Sequence, residues 1–402
     1  MSSDTELIDL QKDAYPGIVG SRTVETTKAK THLAFVREDL FPNMPLVGWK
    51  EAIAGVGEKI ENFLGLVAAP SNIKGEEVVD TKKLSISLPH YGRADFIPMV
   101  FAAADGTVFS GLYRKVVGGT RNLLKGDFNA ELHPEKPGRA GLSYGDRSQA
   151  ENQMSNELHE LGVRIRLPIL GLYVDEVKTM AGDKGIEDLV REGILKADYL
   201  EKRPLIVFYA RRNPYTFADA VDYIKEGGNP QELLRSQAQY LKQENDDEAK
   251  RVADLIEKGD EGAMRAWFGW MAKTFGQQMV LWAKIGFIHP SFHGQNMSLA
   301  IETGDTGDLV DKFKLIPILD VKDEKTLVDF ADQGFSALYF LNGLLKDMGE
   351  EKLEKDVIEN FVMGMMEPED ESREVLVGQM LKMLKENGGD DEYLTKCLEG
   401  KL

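Results

Sequence analysis

Cysteine is almost absent: Cys397 is the only one in 402 residues, which excludes an intramolecular disulfide and any multi-cysteine metal centre. That usage fits a reducing compartment. Long apolar runs are missing too. None approaches the roughly 20 residues that a membrane helix needs, and the longest candidate stretch, 267–285, is interrupted by Lys273, Gln277, Gln278 and Lys284. A basic surplus is likewise lacking, with 49 Lys and Arg against 67 Asp and Glu and a net charge of −18. Nucleic acid and anionic membrane, which both demand a basic footprint, are therefore not expected partners. A small basic pocket for nucleotide phosphates is still compatible with that balance. The opening Met1-Ser-Ser-Asp-Thr-Glu has neither the basic nor the apolar region of a signal peptide, so a cytoplasmic location is expected.

What is present is an ordinary globular mixture, 42% hydrophobic and 29% charged. Its length suits two domains better than one minimal core. Residues 1–80 read as an N-terminal arm, irregular to about residue 50, followed by a helix over 49–66. Residues 81–210 read as a strand-rich lobe. Alternation at 84–88, an apolar run at 96–102 and the Asp105-Gly106 turn predict strands and a hairpin, and Leu123-Leu124-Lys125 is expected to end a further strand. A helix over 149–161, stopped by Gly162, precedes two more strands at 164–174 and 204–210. Residues 211–402 read as a helical lobe, in which the stripe Met264, Trp267, Met271, Phe275, Met279 and Trp282 predicts a core-facing helix. Segregated strands and helices imply an α+β architecture.

The segment Gly286-Phe-Ile-His-Pro-Ser-Phe-His-Gly-Gln-Asn-Met-Ser-Leu299 carries the most chemistry. A helix delivers the chain to a polar loop that ends at Asn296. Strands at 297–301 and 314–320 are expected to form a hairpin that brings Asp320 back to Asn296, with the 302–308 loop, including Asp305 and Asp308, at the far tip. An amide oxygen and a carboxylate are hard ligands suited to Mg²⁺ (or Mn²⁺), which borrows further ligands from substrate phosphates. Taken singly, Asn296 reads as a turn cap and Asp320 as a surface carboxylate; the whole arrangement is what points to a metal pair.

On these residues the chain resembles kinase-like enzymes and, within them, the selenoprotein O family of protein adenylyltransferases. That family has Thr-Asp-Asn-Met-Ser-Ile before its metal-binding Asp, against Gly294-Gln-Asn-Met-Ser-Leu299 here. Its Leu-Lys-Gly at the nucleotide lysine is similar to Leu124-Lys125-Gly126, its following helix to Ala150-Glu151-Asn152 and Leu161-Gly162, and its strand into the helical half to Arg211-Arg-Asn-Pro-Tyr-Thr216. The matches span roughly 110–325. The resemblance implies a bilobal protein-kinase-like fold with a strand-rich N-terminal lobe, a mainly helical C-terminal lobe, and ATP with Mg²⁺ as cofactors. It implies Lys125 at the nucleotide phosphates, Glu151 (or Glu157) holding that lysine, Arg211 (or Arg212) as a phosphate donor, and Gly118-Gly119 close to phosphate.

The chain departs from the enzymes it resembles at the general base. In the adenylyltransferase register the family's Asp falls on Gln295; in the register of small-molecule phosphotransferases it falls on Ser291. His293 is the remaining candidate base, since imidazole titrates near neutrality. His289 reads as a loop-shaping residue, and a zinc pair of the two histidines lacks a third ligand. The expected function is transfer of AMP or phosphate to a protein or small-molecule acceptor. Two alternatives stay open. One is a nucleotide-binding pseudokinase or scaffold without a base carboxylate. The other is a ligase forming an acyl adenylate, since His-Gly-Gln-Asn also resembles a loop of siderophore synthetases.

Overall fold

The computed structural model describes residues 7–9, 21–26, 29–37, 82–87, 94–115, 143–179, 182–192, 197–289, 292–304, 315–386 and 392–401. The chain is mixed helix and sheet and divides into two compact units. One comprises residues 1–152 and 166–214, the other residues 153–165 and 215–402.

Ten strands among the described residues make one sheet in the first unit. They are β1 (Leu7–Asp9), β2 (Ser21–Thr26), β3 (Ala29–Val36), β4 (Lys82–Ser87), β5 (Ala94–Ala102), β6 (Val108–Lys115), β7 (Ser143–Tyr144), β8 (Leu167–Thr179), β9 (Gly182–Gly185) and β10 (Pro204–Arg211). Their order is β1-β4-β5-β6-β10-β8-β3, with β2 on β4, β7 on β10 and β9 on β8. Every pairing is antiparallel except β1 with β4. Asp105-Gly106 turns β5 into β6 as expected, with Gly106 at φ 85°, a left-handed conformation that glycine adopts without strain.

Residues 21–36 overturn the reading of an irregular arm, because β2 and β3 are strands of the sheet. Their own alternation is weak; the pairing of β3 with the long β8 supplies what local propensity does not. The ring of Phe35 fills the space over Gly171, where a Cβ would come within 2.3 Å of it. The expected helix over 49–66 and the strand end at 123–125 lie outside the described residues. The sheet core is built from Tyr113, Leu205, Val207 and Tyr209, with Ala34, Phe35 and Tyr173 packed against them. Helix α1 (Gly145–Glu160) ends as foreseen at Gly162, φ 87°. Two short helices, α2 (Ile186–Arg191) and α3 (Tyr199–Lys202), follow β9.

The second unit holds α4 (Phe217–Lys225), α5 (Pro230–Lys242), α6 (Asp247–Lys258), α7 (Ala263–Ile285), α8 (Glu324–Asp347), α9 (Glu354–Met366), α10 (Glu371–Glu386) and α11 (Glu392–Leu398). All six members of the expected α7 stripe are buried, as are Trp270 and Phe268. Helix α9 crosses α7 where two glycines meet backbone: a Cβ on Gly276 would lie 2.1 Å from the Phe361 carbonyl, and one on Gly364 2.0 Å from that of Lys273. Lys273, on α7, sits between Glu367 at 2.7 Å and Glu248 at 3.2 Å, which hold its ammonium above the usual lysine range. Among the described residues, no helix is long and apolar enough to cross a membrane.

Candidate functional site

Helix α7 delivers the loop through Gly286, which takes φ 83° while its N–H donates to the Trp282 carbonyl. A side chain there has no room, since a Cβ would fall 2.2 Å from the backbone of Ile316. The next residues carry no regular structure, and one side chain completes their backbone bonding. Gln333 of α8 accepts from the His289 N–H at 2.6 Å and donates to the Phe287 carbonyl at 3.4 Å. His289 is buried, and its Nε2 lies 2.6 Å from the Gly304 carbonyl. A carbonyl only accepts, so Nε2 carries the proton. Phe287 and Phe292 flank the ring, each centroid 6.0 Å away. His289 is therefore the loop-shaping residue the sequence suggested.

Beyond the loop the chain doubles back sooner than the expected hairpin. Met297 bridges Thr303, and the Gly304 N–H donates to the Asn296 carbonyl at 2.9 Å. The turn is tied by the buried Ser298 hydroxyl, which accepts from the N–H groups of Ala300 and Glu302, both at 3.2 Å. Thr216 bridges Ser298 on one side and Ile165 bridges Thr303 on the other, making a small ladder within the second unit. Arg164 pins the turn, its Nε donating to the Ala300 carbonyl at 2.9 Å while its Nη2 pairs with Glu244 at 2.6 Å.

Two expectations are corrected here. Residues 315–317 are not a strand, and Ile318–Asp320 is a 3-10 turn that leaves Asp320 exposed. Among the described residues, the strand that was to bring Asp320 back to Asn296 is therefore not formed. Residues 302–304 are also not a distant tip, because they return alongside 296–298. The cause is local: Ser298 satisfies turn amides that the sequence reading left to a longer loop. Asp305 follows Gly304 directly in the chain and itself lies outside the described residues.

His293, Gln295 and Asn296 come together. His293 Nδ1 accepts from the Gln295 N–H at 3.3 Å, and its Nε2 lies 3.3 Å from the Asn296 amide group. With Nδ1 accepting, a neutral ring carries its proton on Nε2, and that proton calls for the amide oxygen of Asn296 rather than its nitrogen. The Gly294 carbonyl accepts from the Ala218 N–H at 3.0 Å, fastening the loop to the start of α4. The same end of α4 is capped by Thr216 and Asp219, whose side chains bond each other at 2.6 Å. His293 faces a groove of about 690 Å³ bounded by α4 and α8, with Phe217, Val221, Phe340 and Tyr339 among its apolar walls and Lys225 and Glu354 among its charged ones.

The first unit holds the other candidates. Glu151 is buried and accepts from Arg166 Nη2 at 2.8 Å. Arg166 stacks over Tyr209 at 4.6 Å and Tyr113 at 5.1 Å. Arg211 is buried over Tyr113 at 4.8 Å, and Arg212 over Phe109 at 5.7 Å. Lys125, the expected partner of Glu151, and Gly118, Gly119 and Ser291 lie outside the described residues. Sequence reasoning missed Gln333 and Arg166. The only signal for either was a polar residue just before an apolar run, Gly334-Phe335 after one and Leu167-Pro168-Ile169 after the other. Among the described residues, no group of three His, Cys, Asp or Glu side chains stands together as a metal cluster.

No protein-family model matches the chain, and no curated protein matches it either.

Proposed function

We propose that the chain is an ATP-dependent transferase of bilobal, kinase-like architecture, moving phosphate or AMP to a hydroxyl acceptor. The observation that supports this reading most is the tight return of Gly304 to Asn296 beside His293, on a loop supported by α7 and α8. An amide oxygen at the mouth of a short hairpin is a hard donor that suits Mg²⁺ or Mn²⁺. Asn296 is one ligand in this reading. Asp320 keeps the role of second ligand only through the resemblance. The metal, when bound, neutralises charge on the phosphates. The roles of Lys125, Glu151 and Arg211 at the nucleotide rest on the resemblance to the selenoprotein O family alone.

His293 is the base in this reading. It takes the acceptor's hydroxyl proton on Nε2, which requires the Nδ1–H tautomer and gives up the bond from Gln295. At 3.3 Å that bond is long and inexpensive to exchange. The same geometry favours one rival, a nucleotide-binding pseudokinase, because both ring nitrogens are engaged and neither Gln295 nor Ser291 is a carboxylate. Incubation with ATP labelled separately on the α- and γ-phosphates decides between them. Transfer of the α label marks adenylylation and of the γ label phosphorylation. Tight Mg-ATP binding with neither label transferred to any acceptor leaves the pseudokinase. Calorimetry that shows no binding of ATP, ADP or GTP refutes both.

A further inference from the structure

We infer that Gln333, on α8, is a positioning residue that sets Gly304 against Asn296 through His289. The functional reading above supplies the reason why that register matters; the inference itself stands on the bonds. Gln333 and His289 are 5% and 3% exposed, set among Phe287, Phe292 and the other aromatic residues around α7. Each buried polar group costs free energy unless it is bonded. A residue needed at 333 only for packing would be apolar, and methionine has nearly the same length and volume as glutamine.

Instead, both ends of one carboxamide are used. Oε1 accepts from the His289 N–H and Nε2 donates to the Phe287 carbonyl, so the side chain serves the loop as a neighbouring strand would. That fixes the backbone from which the His289 ring projects. The ring's Nε2–H then donates to the Gly304 carbonyl, and the Gly304 N–H donates to the Asn296 carbonyl. Four residues, one on α8 and three on the loop, thus form one line of hydrogen bonds, 333 to 289 to 304 to 296. Displacing its first member releases the peptide on either side of Gly304. The Asn296 carbonyl then loses its bond from the Gly304 N–H.

The test is amide hydrogen exchange read at single residues, with no ligand present. In Gln333→Met, exchange at His289 and, two steps on, at Gly304 is expected to speed up about tenfold or more, as local opening replaces a bonded state. The slowly exchanging Nε2 proton of His289 broadens with them, while amides in α5 and α6 keep their parental rates. Gln333→Glu retains an acceptor for the His289 N–H and restores most of the protection at both sites. His289→Phe keeps the Gln333 clamp and removes only the link to Gly304. Its loss of the link to Gly304 speeds exchange at 304 while the Gln333 clamp keeps position 289 protected, which serves if Gln333→Met does not fold. Unchanged exchange at Gly304 in Gln333→Met or His289→Phe overturns the inference, as does a Gln333→Glu variant no better than Gln333→Met. Mg-ATP titration of the same proteins is read separately: a parent that binds none removes the nucleotide reading and leaves the exchange rates to judge this one.

Discussion

Two stretches of one loop, only a few residues apart, treat their histidines in opposite ways. At 287–289 the Phe287 and His289 side chains are buried, Gln333 bonds the backbone of both, and the imidazole proton is committed to a carbonyl. At 293–296 the histidine is exposed, its bonds to Gln295 and Asn296 are both 3.3 Å, and it borders an open groove. The first stretch has a fixed tautomer and a buried ring, so it is suited to holding. The second has weak bonds that can be exchanged and space for a ligand, so it is suited to reacting. Equal residue types at helical spacing therefore say little about role; burial and the strength of existing bonds separate scaffold from chemistry.

The strongest challenge to that contrast is to disturb the scaffold half. Gly286→Ala is expected to cost about 3 kcal/mol or more, because it combines a left-handed backbone with a Cβ driven into the Ile316 backbone. Urea denaturation measures it, and a loss below about 1 kcal/mol would mean the junction relaxes easily. His289→Ala comes next, at about 2–4 kcal/mol, from lost packing and an unsatisfied Gly304 carbonyl. His293→Ala is expected within about 0.5 kcal/mol of the parent, as for surface positions generally. Equal losses at 289 and 293 would erase the distinction between the two halves.

The reactive half is sharpened by ligand measurements. Asn296→Ala is expected to weaken Mg-ATP binding severely and Asp320→Ala little, since Asn296 holds the return of the turn at Gly304 and residue 320 sits exposed on a 3-10 turn. The opposite ranking would restore the longer hairpin. His293→Ala and His293→Asn are expected to lose turnover with binding nearly unchanged, and the parental rate should rise as the imidazole deprotonates between about pH 5 and 8. A flat profile over that range removes His293 as the base.

Much of this architecture was legible in the sequence. The α7 stripe, the Gly162 stop, the Asp105-Gly106 turn and strands β5, β6, β8 and β10 follow from periodicity and turn chemistry. The two features that were not legible depend on distant partners. Strands β2 and β3 have weak alternation and are fixed by pairing with β4 and β8. The early turn at 299–301 depends on Ser298 satisfying amides and on Arg164, more than a hundred residues away, holding the Ala300 carbonyl. For the site, the cluster of His293, Gln295 and Asn296 was readable because its members are neighbours in sequence. Gln333 was not, since nothing in an isolated helix marks one glutamine as facing inward to a loop.

The smallest effect is expected at the surface bond nearest the loop, and it tests whether polar contact alone, without burial, stabilises this region. Lys284, in the last turn of α7, lies 2.8 Å from Asp370, which also accepts from the Ser372 N–H at 2.9 Å at the start of α10. The Lys284 bond first, then the bonds from Ser372, lower the Asp370 carboxyl to about 2. A carboxyl lowered by folding contributes stability that is present above its ordinary value of 3.8 and lost as pH falls through about 2. Lys284 is 59% exposed, so solvent screens most of the ion pair. Asp370→Asn keeps an N-cap acceptor and removes the charge, and is expected to cost only a few tenths of a kcal/mol at neutral pH, about what an exposed pair contributes. Asp370→Ala loses the cap as well, for about 1 kcal/mol. Thermal unfolding from neutral pH downwards checks both. The gap between parent and Asp370→Asn should hold steady to about pH 4 and close as the medium approaches pH 2. A gap comparable to that of His289→Ala would mean that exposed bonds brace the end of α7 as firmly as the buried line does, and burial would no longer separate the two halves of the loop.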